Sequence, residues 1–261
     1  MATRTSRRTL APPAASSAPA GYDPRAFPAF AVTVDIVTLT LRSGVLNVLL
    51  VVRGGEPFRG RWAIPGGFKR PTETLDEAAA RELAEETGIH AAPRLRQYGA
   101  YGDPGRDPRL NVVTVAYLAV VPDLPPPVAG TDATEAALIP VAEVLDGRRL
   151  LAFDHARIVG DAIDRVSLEL DVSGLALAFL GEAFTLAELR TVYEAVWGVR
   201  LDPANFRRSV ADAGWVVPTG RRTRPGPAGG RPAELYRAGD AWLTGSPIHR
   251  WSGAGERRST T

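Results

Sequence analysis

The chain has 261 residues, 45% of them hydrophobic, a formal net charge of +2 and no cysteine. That length fits one large domain or two smaller ones. The missing cysteines exclude disulfides, thiol catalysis and thiolate metal sites, and no run of eighteen apolar residues is present to span a membrane as a helix.

Residues 1–24 are rich in Ala, Pro and Ser, lack apolar periodicity and read as a disordered tail. Arg7 and Arg8 have the look of an export signal, but prolines and serines follow where an apolar stretch is required, which argues for a cytoplasmic chain. From Phe30, AVTVDIVTLTLR alternates apolar and polar residues, and LNVLLVVR follows a Ser43-Gly44 turn, predicting a β-hairpin. FRGRWAIPGGF then gives a short strand that ends in a glycine pair.

TLDE follows, with Thr74 as N-cap and Glu77 three positions later, the pattern of a capping box, and predicts a helix over about 74–86. Leu75, Ala79 and Leu83 make its apolar face. Glu82, Glu85 and Glu86 gather at three- and four-residue spacing on another face, where like charges repel unless a hard cation such as Mg2+ (or Mn2+) sits between them. Gly66 and Gly67 let the backbone approach a ligand closely, and Gly88 can supply a left-handed cap. Arg81 is placed to pair with Glu73 across two turns and so orient the ligand helix. A solvated acidic face is the ordinary reading of a Glu run, but it leaves the surrounding glycines and arginine unexplained.

RLRQYGAYG and LNVVTVAYLAVV read as further strands around the loop YGDPGRDPRLN. Arg106 and Arg109 on that loop have two readings: solvated charges of a Pro/Gly turn, or a guanidinium clamp for phosphate or ribose. Arg53 and Arg61, flanking the approach to the helix, are candidates for the same clamp. A short helix is expected over about 141–145, and His155 falls on an amphipathic helix, where packing or capping is its usual role. Strands and helices in this order describe an α/β (α+β) fold, a mixed sheet between helices, over residues 25–170.

After Gly181 the character changes. Thr185 and Glu188 form a second capping box, and Leu186, Leu189, Val192, Tyr193 and Val196 mark a helix face ending near Gly198. Pro203 then opens ANFRRSVADAG, a second helix, so that the pair is similar to a helix-turn-helix. Phe206, Val210 and Ala213 point inward in this reading, which leaves Asn205, Arg207, Arg208 and Ser209 outward, residue types that read base edges. WVVPTGRRTRPGPAGGRPAELYR is strand, glycine-rich loop and strand, with Arg221, Arg222, Arg224 and Arg231 on the loop, as in the wing of a winged helix. From Phe184 to Thr261 there are twelve arginines against seven acidic residues, a balance that suits a phosphate-backbone partner. Helix, turn, helix and wing occupy 171–245, followed by a flexible tail over 246–261.

The spacing Gly67, five residues, Glu73, seven residues, then Arg81-Glu82-Leu83-x-Glu85-Glu86-x-Gly88-Ile89 is an unbroken match to the Nudix box. Seven specified residues at ordinary frequencies recur by chance at roughly one start in 10^8. Joined to FTLAELRTVYEAVWGVRLDPANFRRSVADAG and GRPAELYR, and with YDPRAFPAFAVTVDIV and LAFDHARI, the chain resembles the Nudix-related transcriptional regulators of NAD metabolism over nearly its whole length apart from the tails. The resemblance implies a Nudix domain followed by a winged helix, in a homodimer joined through the Nudix domains. It implies repression of genes of NAD synthesis or a related cofactor or pentose pathway, with operator DNA as partner and ADP-ribose or a similar nucleotide as effector. It also implies that Glu82 and Glu86 ligate the metal, with Glu85 assisting and the Gly67 region supplying a carbonyl. Glu135, in TDATEAALIP, sits where related proteins carry an extra acidic residue before the final core strand, as a general base or as a loop or capping carboxylate. Many such regulators have an eroded box; this one is complete, which raises a second reading as a Mg2+-dependent pyrophosphohydrolase of ADP-ribose or a related diphosphate.

Overall fold

The computed structural model describes residues 21–89, 94–129, 133–212, 214–224, 232–240 and 246–250. The expected tail over 1–24 lies outside these residues up to position 20. The hairpin forms as β1 (Ala31–Arg42) and β2 (Val45–Arg53), turning through Ser43 and Gly44, both at positive φ. The alternation in β1 suggests one wet face, yet Thr33 through Thr40 are all buried. The reason is its place in the sheet. β1 pairs with β2 and with β4 (Gly66–Phe68) along one edge, and runs parallel to β6 (Val112–Val120) along the other.

β3 (Trp62–Ala63) and β7 (Ala133–Pro140) add to β2, and β5 (Arg96–Tyr101) closes the far side against β6, making a seven-stranded mixed sheet. Even-numbered Val34 and Ile36 pack with Ala78, Ala79 and Leu83 of α1 (Leu75–Thr87) on one face. Odd-numbered Val37 and Leu39 pack on the other face in a cluster with Ile158, Ala162 and Val166 of α3 (His155–Val172), beside α2 (Val141–Leu145). The two-residue period of a strand thus holds, but both of its faces are covered by helices.

The C-terminal part folds as expected for its pattern. α4 (Leu186–Trp197) carries the capping box of Thr185 and Glu188 and ends at Gly198 in the left-handed region. α5 (Pro203–Asp212) starts on its proline, a residue suited to a first helical turn because its missing N–H has no partner there anyway. β8 (Val216–Arg222) and β9 (Glu234–Ala238) form the wing's antiparallel pair, and Phe184 bridges Tyr236 as a third short rung. Arg221 and Arg222 therefore end a strand instead of lying in the loop, because the ladder extends to Arg222 opposite Glu234. Arg231 and Ala213 lie outside the described residues.

One apolar cluster runs from Val37 and Leu50 of the sheet through Ile158 and Leu170 of α3 to Leu189, Trp197, Phe206, Trp215 and Tyr236. Trp197 Nε1 donates to Ser167 O at 3.1 Å, pinning α4 to α3. Positions 246–250, expected within a flexible tail, pack instead. Ser246 and Ile248 are buried, and the Ser246 hydroxyl meets the buried Tyr193 hydroxyl at 3.0 Å. A buried phenol needs a hydrogen-bond partner, and this segment brings one. Among the described residues no helix is long and apolar enough to cross a membrane.

Candidate functional site

α1 begins as its sequence requires. The Thr74 hydroxyl accepts from Glu77 N at 3.2 Å and Glu77 returns a carboxylate to Thr74 N at 2.7 Å, while Gly88 closes the helix at φ 70°. The helix points its acidic face at β4, and between them opens a cleft of about 810 Å3 lined by Gly66, Gly67, Glu82, Glu85 and Glu86. The opposite wall holds Asp35, Arg53, Arg106, Arg109, Phe153 and His155.

Arg81 organises the acidic side. Its Nε and Nη2 donate to both oxygens of Glu73, at 2.9 and 2.6 Å, and Nη1 donates to Glu82 at 2.6 Å and Glu85 at 3.1 Å. Nη2 also reaches Phe68 O at 3.1 Å. A guanidinium has five N–H donors, and these contacts engage all of them. The side-chain hydrogen bonds from Arg81, and then the amide of Arg70, hold the Glu73 carboxyl down at about 2. Burial pushes Glu82 the other way, above the usual carboxylate range, against the opposing pull of Arg81.

Glu86 accepts from Gly66 N at 3.0 Å, so the glycine pair and the helix are locked together at the site. A Cβ on Gly67 would land 2.5 Å from Glu82 Oε1, so any side chain there would have to displace the Glu82 carboxylate. The carboxylates lie on Arg81 and on Gly66 N, and among the described residues no three acidic or histidine groups form a closed metal cluster. The donor set nevertheless fits a hard divalent cation: three carboxylates from one helical surface, the largely buried Glu82 beside the open backbone of Gly67, and oxygen ligands throughout.

The cationic side is equally specific. Arg106 is almost fully buried, bound to Asp154 at 2.7 Å and to Asp35 at 3.4 Å, so it organises the wall and is not a free fork. Arg109 pairs with buried Asp107 at 2.7 Å, and its guanidinium lies over the rings of Phe68 and Phe153, 5.2 and 5.9 Å from their centroids. Arg53 covers Phe153 at 4.8 Å while its Nε donates to Pro57 O. Burial, and next the charge of Arg109, make its guanidinium easier to deprotonate than usual. Arg70, which sequence reasoning did not single out, also lines the cleft and reaches Glu85 at 3.4 Å.

Arg61 is exposed and stands outside the lining residues; its carbonyl accepts from Arg53 N. Glu135 lies inside β7, opposite Val52 and exposed, not ahead of the strand, and the lining residue from that segment is Thr134. His155 is the first residue of α3. Its Nδ1 accepts from Ile64 N at 3.2 Å and its Nε2 faces Asp35 at 3.7 Å. Burial lowers its pKa, so the ring is neutral and packed. Phe153 and Asp35 were missed from sequence. Asp35 sits in an alternating strand like any outward polar residue, and Phe153 takes its part only through a left-handed φ of 51° that turns the ring into the cleft wall.

In the C-terminal part, Asn205, Arg207, Arg208 and Ser209 are exposed along α5 while Phe206 and Val210 are buried. Arg221, Arg222 and Arg224 are exposed at the end of β8 and just beyond it.

A mixed sheet between helices with this cleft is a Nudix domain, and helix, turn, helix and wing are a winged helix. The NUDIX domain family matches residues 29–161, and the NrtR DNA-binding winged helix domain matches residues 176–238. The chain belongs to the NrtR-type family that combines the two. It is 33% identical over 222 residues to the ADPR responsive transcriptional repressor NtrR of Acinetobacter baylyi, covering 84% of this chain and 86% of that protein. The crystal structure of Shewanella oneidensis NrtR complexed with a 27mer DNA superposes with a TM-score of 0.68 at 33% identity, over 82% of this chain and 97% of that one. The NUDIX domain of the same Shewanella protein, complexed with ADP ribose, superposes with a TM-score of 0.51 at 37% identity, over 56% of this chain and 95% of that one.

Proposed function

We propose that the chain is a transcriptional repressor whose winged helix binds operator DNA and whose Nudix cleft binds ADP-ribose or a similar nucleotide, which releases the DNA. The observation that carries this reading is the presence, in one chain with one continuous apolar cluster, of a complete carboxylate–arginine cleft and a basic helix with a wing. A ligand shifts such a protein between DNA-bound and DNA-free forms only by its differential affinity for the two.

Glu82, Glu85 and Glu86, with a carbonyl near Gly67, would hold Mg2+ or Mn2+. Bound there, the cation neutralises the charge of a diphosphate. The chain's own residues supply the rest. Arg53 and Arg70 offer charge to the phosphates, and the exposed ring of Phe68, with Arg109 beside it, offers a flat face to a base. We assign the protein to the cytoplasm as a homodimer joined through its Nudix domains, acting on genes of NAD synthesis or a related cofactor or pentose pathway. In a gel shift with duplexes selected by the protein from a random pool, the chain should retard DNA, and ADP-ribose with Mg2+ should abolish the shift. A shift indifferent to ADP-ribose would remove the effector from the reading, and no specific shift at moderate salt would remove the DNA.

The complete box supports a second activity, hydrolysis of the bound diphosphate. ADP-ribose cleavage by the native chain, absent in Glu86→Gln, would establish it. Comparing Glu85→Gln with Glu135→Gln then tests which carboxylate serves as base, the one inside the cleft or the one on β7.

A further inference from the structure

A second cleft, of about 450 Å3, opens in the winged helix between the N-terminus of α4, the start of α5 and the two strands of the wing. Three arginines from three different elements line it: Arg190 of α4, Arg207 of α5 and Arg222 of β8. Their spacing of 17 and 15 positions in sequence carries no pattern, so only the fold brings them together. The apolar floor is Phe206 and Tyr236.

The charges on this cleft are unequal in their commitments. Glu234 is the one carboxylate among its lining residues, and it is engaged by the Tyr236 hydroxyl at 3.0 Å. Arg190 is partly buried, with its Nε 3.5 Å from Glu194 Oε1 and making no hydrogen bond. Glu194 already uses that oxygen to accept from Leu201 N at 2.9 Å, where the chain turns into α5. Arg222 gives one long bond, 3.4 Å, to Pro232 O, and Arg207 is exposed on α5. Three guanidinium groups thus converge on a wet concavity with one occupied carboxylate between them. A guanidinium fork matches a phosphate's oxygens, and α5 beside the cleft carries the residues suited to base edges.

We propose that this cleft seats a backbone phosphate of DNA, with Arg190 of the first helix as a phosphate contact in addition to the second helix and the wing. This rests on the reading of the winged helix as a DNA reader. A phosphate seat fixes the protein's register on the duplex and carries no sequence information, so its loss has a signature distinct from loss of a base contact.

Fluorescence anisotropy with the intact chain, on a selected duplex and on a scrambled one, over a range of salt concentrations, tests the assignment. Arg190→Gln and Arg222→Gln should each weaken binding to both duplexes by the same factor, about tenfold, as for loss of one charge-assisted hydrogen bond. Each should also lower the slope of log affinity against log salt by about 0.9. Asn205→Ala, by contrast, should cost affinity on the selected duplex alone. Arg222 is exposed, so its variant folds even if Arg190→Gln lowers the melting temperature. Unchanged slopes in both folded variants, or losses confined to the selected duplex, would overturn the phosphate seat while leaving the DNA reading intact. A native chain that binds neither duplex would overturn the DNA reading, and the seat with it.

Discussion

Arg81 commits every N–H it has to three glutamates and one carbonyl, and this makes charge alone an insufficient substitute. Arg81→Lys keeps the cation but offers three donors without the fork. We expect it to weaken Mn2+ binding about 10- to 100-fold, as measured by titration calorimetry, because a residue that orients ligands acts on the metal at that scale; unchanged affinity would detach Arg81 from the site. Glu73 adds a pH dependence. Its folded value of about 2 lies below the ordinary 4.5, so the stability it lends is complete above 4.5 and is lost as pH falls through about 2. Urea unfolding across that interval should show a shallower acid slope for Glu73→Gln than for the native chain. The acidic helix was legible in the sequence because Glu82, Glu85 and Glu86 lie three and four residues apart on α1 and Glu73 stands just ahead of it, eight residues before Arg81. The facing wall was not, since Arg106 meets Asp35 across 71 positions and Ile64 meets His155 across 91.

At the scale of elements, capping decides where both ligand-facing helices begin. Thr74 and Thr185 each accept from the amide three residues on, and each glutamate reaches back. These boxes, like the left-handed Gly88 and Gly198, are local, which is why the sequence located α1 and α4 to within a residue or two. Thr185→Ala should cost about 1 kcal/mol and lower the melting temperature followed by circular dichroism. Because Thr185, Leu186 and Ala187 also line the arginine cleft, DNA affinity should fall with it. β1 shows where local reading stops. Alternation gave its faces correctly, but whether both are covered depends on α1 and α3, which lie far along the chain; the last core strand begins at Ala133, ahead of the Glu135 expected to precede it.

For the whole molecule, the decisive fact is the single cluster joining sheet, α3, α4 and wing. Two separately folded units would melt apart; packing of this kind couples them. Differential scanning calorimetry should show one transition, and ADP-ribose at a hundred times its dissociation constant should raise the stability of that one transition by about 2.7 kcal/mol. Two resolved transitions, only one of them responsive, would contradict the coupling. The division into catalytic-type and DNA-reading halves was visible in composition and charge. Their shared interior was not, because Trp197 of α4 reaching Ser167 of α3 is a pairing between segments that each look complete alone.

The turn at Gly44 adds a consequence of its own. A methyl group placed there would come 3.4 Å from the Thr191 side chain, so the tip of the first hairpin rests against the middle of α4. A chimera that grafted this reader onto a foreign sensor would have to import the matching hairpin as well. Exchange of parts among such regulators is therefore constrained by the fit of that loop, and lineages that swapped one half without the other would inherit an ill-seated joint.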